Sequence, residues 1–190
     1  MEENLKNSLM EGEELLWSGK PETCEALDKT HKAKFVKKTV TAAVVAVVLC
    51  ALYIILASYA ETQVSWIVVV IILLCAYIVP HNMVKDAKTC NTKLLYGVTS
   101  ERLITVSDSV KSVSYSQIRE AAFRTDDDGH TSLLCGHDAL NSEPANWRFA
   151  AVNGLVMNET NDFCESYAFY ALPEADKVRE IVSKYLKLVD

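Results

Sequence analysis

Four histidines, six cysteines, one acidic triplet and one lysine run are the side chains in this sequence whose types could do chemistry. His31, His81, His130 and His137 are scattered, and the nearest approach to a ligand pair is His130 with His137, which could meet across a hairpin beside Cys135. Asp126-Asp127-Asp128-Gly129 has the start of a calcium loop, but no Glu stands at the twelfth position, so a solvated hairpin turn is the expectation. The cysteines contain no C-x-x-C pair, which removes support for a structural zinc site or a thioredoxin-type motif. There is no P-loop, G-x-G-x-x-G, H-E-x-x-H or G-x-S-x-G sequence. Catalytic, cofactor-binding and metal-ligating sets are thus all read as none, and the chain is expected not to be an enzyme.

Two clusters suggest binding instead. Lys29, Lys32, Lys34, Lys37 and Lys38 put five cations in ten residues. Beside a membrane span, such a run attracts anionic lipid at about 1 kcal/mol per cation, and it also serves as a topology signal. Leu15, Leu16 and Trp17 form an apolar patch within an acidic stretch. They are expected to dock in extended form on the rest of the protein or to contact a partner chain.

These residues must be positioned by elements that the apolar pattern reveals. The chain has 190 residues, half of them apolar, and a net charge of −6, which argues against nucleic acid because phosphate contacts need a basic face. No charged side chain occurs for 22 residues between Lys38 and Glu61, nor for 23 between Glu61 and Lys85. About 20 helical residues cross a hydrocarbon core, so residues 39–84 read as a two-helix transmembrane hairpin. Tyr59 and Trp66 bracket its turn, Tyr77 sits toward the far end of the second helix, and Pro80 is expected to stop that helix. Nine cations flank the hairpin at Lys29, Lys32, Lys34, Lys37, Lys38, Lys85, Lys88, Lys93 and Arg102, and the turn has none. Positive residues stay inside, so both termini are expected in the cytoplasm of a multi-pass cell-membrane protein. The first 38 residues hold no apolar signal core and eight of the first 28 are acidic, leaving the first span as its own insertion signal. Asn158-Glu159-Thr160 then lies on the wrong side of the membrane for glycosylation, and the six cysteines read as small apolar fillers.

Residues 1–38 form a cytoplasmic segment holding the Trp17 patch and the lysine run. Residues 93–190 are the size of one domain. Seven short segments there read as strands: 94–98, 102–107, 112–116, 118–124, 131–135, 147–152 and 166–172. From Pro173 onward Val178, Ile181, Val182, Tyr185, Leu186 and Val189 make one apolar helical stripe. About seven antiparallel strands closed by a carboxy-terminal helix describe a small β-barrel with one end plugged. The fold class is therefore an α+β membrane protein.

Tyr96-Gly97-Val98-Thr99-Ser100-Glu101-Arg102-Leu103-Ile104 resembles the first hairpin of the bacterial pleckstrin-homology-like (PH-like) domains, with Ser100 where that family often has Asn. Ser112-Val113-Ser114-Tyr115-Ser116-Gln117-Ile118 is similar to the family's third strand and the start of its fourth. Glu11-Gly12-Glu13-Glu14-Leu15-Leu16-Trp17-Ser18-Gly19-Lys20-Pro21 resembles the acidic, Trp-containing lead-in that precedes a pair of membrane helices in these proteins. The resemblance implies a membrane-anchored module with no established chemistry. Residues 93–190 hold 10 basic and 15 acidic side chains, with only Lys93 and Arg102 near the first hairpin, which argues against a phosphoinositide site.

The expected function is a membrane-anchored, non-enzymatic interaction module that presents a cytoplasmic PH-like domain to a protein partner or to a second copy of itself. The alternatives are a lipid-sensing or membrane-stress component that binds anionic lipid through the lysine run, and an accessory subunit of a transporter or membrane enzyme.

Overall fold

Leu5 and Trp17 decide what the residues ahead of the hairpin do. A computed structural model of the chain describes residues 1–189. In it α1 (Glu2–Asn7) buries Leu5 over Gly97, where a Cβ would stand 2.8 Å from Leu5 Cδ1. β1 (Leu15–Gly19) then runs antiparallel to β2 (Leu95–Thr99) and turns Trp17 into the core. The Trp17 ring lies over Gly19, whose own Cβ would come within 2.5 Å of it, so glycine is required there.

Between β1 and β2 the chain makes a helical hairpin, α2 (Lys29–Tyr59) and α3 (Trp66–Lys93). Both are long and apolar enough to span a membrane. Along them Val47, Leu56, Ile67 and most other large apolar side chains are exposed, while the small Ala46 and Ala57 are buried. Pro80 does not stop α3. The helix runs on to Lys93 because the turns beyond it bury Met83, Ala87 and Cys90, and packing of that face outweighs the ~3 kcal/mol cost of an internal proline. The lysine run likewise falls inside α2 rather than ahead of it.

The β-rich part is two four-stranded antiparallel sheets. The first has the order β1-β2-β3-β4, with β3 (Arg102–Val106) and β4 (Val110–Ser114) following as simple hairpins. A 3-10 turn at Tyr115–Gln117, closed by reciprocal Ser114 and Gln117 bonds, leads out of it. The second has the order β5-β6-β8-β7: β5 (Ala121–Thr125), β6 (Thr131–Cys135), β7 (Val156–Met157) and β8 (Cys164–Phe169). Two helices, α4 (His137–Leu140) and α5 (Pro144–Asn153), interrupt it between β6 and β7. The β5–β6 hairpin turns at Asp126–Gly129, with Gly129 at φ +88°.

Three further expectations are corrected. The sheets do not close into a barrel: β4 and β5 are not ladder neighbours, and the sheets meet face to face through Tyr96 stacked on Phe169 at 4.4 Å and Thr105 bonded to Tyr167 at 2.7 Å. The segment 147–152 is helical, not extended. Pro144 opens α5, Ala145, Ala150 and Ala151 favour it, Gly154 ends it at φ +81°, and Trp147, Arg148 and Ala151 form its buried face. The final helix, α6 (Ala175–Val182), is shorter than its stripe. Val178, Val182 and Leu186 are buried as the stripe predicts, but the chain beyond it bends so that Leu188 bridges Ala121 and covers the outer edge of β5.

Candidate functional site

Chemistry concentrates where the hairpin enters the β-rich part, and it starts with the first turn of α2. A helix amino-terminus leaves backbone N–H groups unpaired, and two carboxylates take them here. Asp28 Oδ1 accepts from the His31 N–H at 2.8 Å. Asp128, on the β5–β6 turn, accepts from the Thr30 N–H at 2.8 Å, the Thr30 hydroxyl at 2.7 Å and the Lys29 N–H at 3.2 Å. Burial raises the Asp128 carboxyl, but these hydrogen bonds outweigh it and hold it below its ordinary range. The loop thus caps the first hairpin helix directly.

Arg148 of α5 completes the junction. Its Nη2 donates to Asp28 Oδ2 and to the Glu25 carbonyl, and its guanidinium lies 5.4 Å from the Tyr170 ring centroid. Tyr170 in turn donates to Asp126 Oδ2 at 3.0 Å. His31 Nδ1 sits 2.6 Å from Asp28 Oδ1. His31 is ahead of the apolar stretch that starts at Thr39. Burial, joined by the Arg148 charge, pushes its imidazole below the usual 6.5 against the pull of Asp28. Asp28, His31 and Arg148 are all buried.

A cavity of about 280 Å3 opens between α2, α3 and α5, lined by His31, Lys34, Lys38, Asp86, Asn146 and Arg148 among others. Lys34 donates to Asn146 Oδ1. A larger groove of about 820 Å3 shares Lys34 and Lys38 and adds Lys37, Thr41, Ala42 and Val45. Of the five lysines singled out from the sequence, the structure brings Lys34, Lys37 and Lys38 onto this groove. Lys29 and Lys32 are exposed and line neither space.

Leu15, Leu16 and Trp17 lie elsewhere, in the first sheet, where Trp17 Nε1 donates to Glu174 Oε2 at 3.1 Å. Beside them a second ion pair holds the amino-terminal segment down. Arg102 donates to both Glu13 oxygens at 2.9 Å, to the Ser8 carbonyl at 2.7 Å and to the Ser112 hydroxyl at 3.1 Å. Burial raises the Glu13 carboxyl, but hydrogen bonds from Arg102, the Met10 N–H and the Thr99 hydroxyl, with the guanidinium charge, bring it down to about 2.

His130 and His137 are not brought together: His130 faces Glu22 at 3.2 Å, whereas His137 opens α4 beside Asn141. Cys24, Cys90, Cys135 and Cys164 are buried among core side chains. Sequence reasoning missed Asp28, Asn146 and Arg148. One signal was present, a lone arginine inside Trp147-Arg148-Phe149-Ala150-Ala151-Val152, since a charge within an otherwise apolar run must find a buried partner. No protein-family model, curated protein or solved structure matches the chain.

Proposed function

We propose that this chain is a membrane-anchored, non-enzymatic interaction module. Its hairpin crosses the cell membrane twice, and both termini and the two-sheet part lie in the cytoplasm, offered to a protein partner or to a second copy. The observation that carries this reading is a contrast along α2 and α3. From Thr39 to Val84 they expose large apolar side chains, and at their other ends they are tied into the β-rich part by Asp28, Asp128 and Arg148. A lipid-embedded anchor rigidly joined to a folded head holds that head at fixed height and orientation. The sidedness rests on the flanking cations and on their absence from the turn. A PH-like assignment for the head is supported by the residue resemblance together with antiparallel strands, interrupted by α4 and α5 between β6 and β7, that end in an amphipathic helix whose Val178 and Val182 enter the core.

Two measurements test it. With a membrane-impermeant maleimide on intact cells, a Thr62→Cys variant is expected to label and a Ser109→Cys variant only after permeabilisation; the reverse pattern overturns the sidedness. Cross-linking in native membranes followed by purification in mild detergent is expected to yield a stoichiometric complex, and a lone monomer overturns the interaction role.

A further inference from the structure

Among the described residues, two buried polar atoms at the foot of the hairpin have no partner, His31 Nε2 and Arg148 Nε. Both residues line the 280 Å3 cavity. Leaving such atoms unpaired is costly, so together they point to a group that completes them. Asp28 accepts from His31 Nδ1, which leaves Nε2 as an acceptor, whereas Arg148 Nε–H is a donor. The missing group must therefore accept one hydrogen bond and donate another. Its charge is also constrained. Lys34, Lys38 and Arg148 stand against Asp28 and Asp86 around this space, which leaves one positive charge and suits a monoanion.

The cavity continues toward the bilayer. It shares Lys34, Lys38 and Val79 with the 820 Å3 groove, and that groove shares Ala42, Val45 and Val79 with an apolar crevice of about 300 Å3 between α2 and α3, floored by Leu49, Ile72 and Cys75. Charged at one end and apolar at the other, the path has the polarity profile of one amphiphile. We infer that it holds a single phospholipid with a glycerol-type phosphodiester headgroup. The phosphate takes Arg148 Nε–H and the two lysines, a headgroup hydroxyl donates to His31 Nε2, and an acyl chain follows the crevice. This rests on the membrane anchoring proposed above and adds the ligand class that the anchor selects.

The test uses the full chain in lipid nanodiscs and in detergent, reading thermal unfolding and native mass spectrometry. Phosphatidylglycerol is expected to stabilise it more than phosphatidylpropanol, which keeps the charge but lacks the hydroxyl, and far more than phosphatidylcholine. Replacing Lys34→Gln and Lys38→Gln together should weaken phosphatidylglycerol binding about thirtyfold, each cation being worth roughly a factor of five at an anionic lipid. Lys38→Gln alone, at an exposed position that leaves the packing intact, should give about a fivefold loss. Equal stabilisation by phosphatidylglycerol and phosphatidylcholine in a reconstituted chain overturns the inference and leaves the anchoring standing. So does equality between the two anionic lipids, or full stabilisation by soluble glycerophosphoglycerol in detergent, which would assign the site to a free phosphodiester. A chain that never enters the nanodisc overturns the anchoring and this inference together.

Discussion

The molecule contains two arginine–carboxylate clamps with buried carboxylates, and they differ in how fully their polar atoms are partnered. Arg102 and Glu13 tie the amino-terminal segment to the first sheet with all their polar atoms partnered: the guanidinium reaches Glu13, Ser8 and Ser112, and the carboxylate also takes Thr99 and Met10. Arg148 and Asp28 tie the hairpin to α5, but leave Arg148 Nε and, through Asp28, His31 Nε2 without partners among the described residues beside a cavity. A fully satisfied clamp needs only the fold to explain it. One with unused valences at the edge of a polar cavity, at the foot of two helices long and apolar enough to span a membrane, reads as a binding site that also holds the structure together.

The comparison is broken most sharply by Arg148→Met, which strands the Asp28 carboxylate in a buried setting and is expected to cost about 3–5 kcal/mol in thermal unfolding of the detergent-solubilised chain. A loss below that of an exposed pair would show that the junction clamp is not buried in solution. Trp17→Ala, acting on the other clamp's segment, should cost about 3–4 kcal/mol by opening a cavity under β1, with the tryptophan emission of the parent already blue-shifted; an unchanged midpoint would mean that β1 does not dock. Glu13→Gln, which keeps the shape but removes the charge from four hydrogen bonds, should cost about 1.5–3 kcal/mol.

Acid sharpens the contrast between the two. His31 is depressed below 6.5 in the folded chain, so its neutral form is favoured there; the unfolded chain takes up the proton first, and stability falls once pH drops below 6.5. The slope is at most about 1.4 kcal/mol per pH unit. Glu13 is depressed from 4.5 to about 2, so its contribution is complete above pH 4.5 and is lost only as pH falls from there toward 2. Unfolding midpoints between pH 7 and pH 3 should therefore show two separate declines, the first missing in His31→Gln and the second reduced in Glu13→Gln, with the remainder carried by Asp128, whose carboxyl is also held low. A single decline below pH 4.5 in the parent would remove His31 from the junction. The smallest effect is expected from Lys184→Ala at the exposed pair with Glu180, below about 0.5 kcal/mol in the same assay.

The hairpin was legible because uncharged runs of this length have few other uses, and so were the Asp128-Gly129 turn and six of the seven strands, whose β-branched and aromatic content matches their register. Helix α5 was misread because Trp147, Phe149 and Val152 carry strand-like side chains, although Pro144 and Gly154 marked a helical start and stop. The corrected sheet closure and the end of α6 were not written locally, since both depend on which strand edge Leu188 and the Tyr115–Gln117 turn reach across the fold. Of the site, three lysines of the groove were visible as a charge run. The buried groups facing them were not, because Asp28, Arg148 and Tyr170 lie far apart in sequence and only the packing of α5 against α2 makes them neighbours.

Membrane fractionation of the full chain tests the account most directly. Pelleted membranes washed with alkaline carbonate should retain it and release it only to detergent, because residues 39–84 present uncovered apolar side chains along both helices. Recovery of a folded, monodisperse chain in the detergent-free supernatant would contradict it.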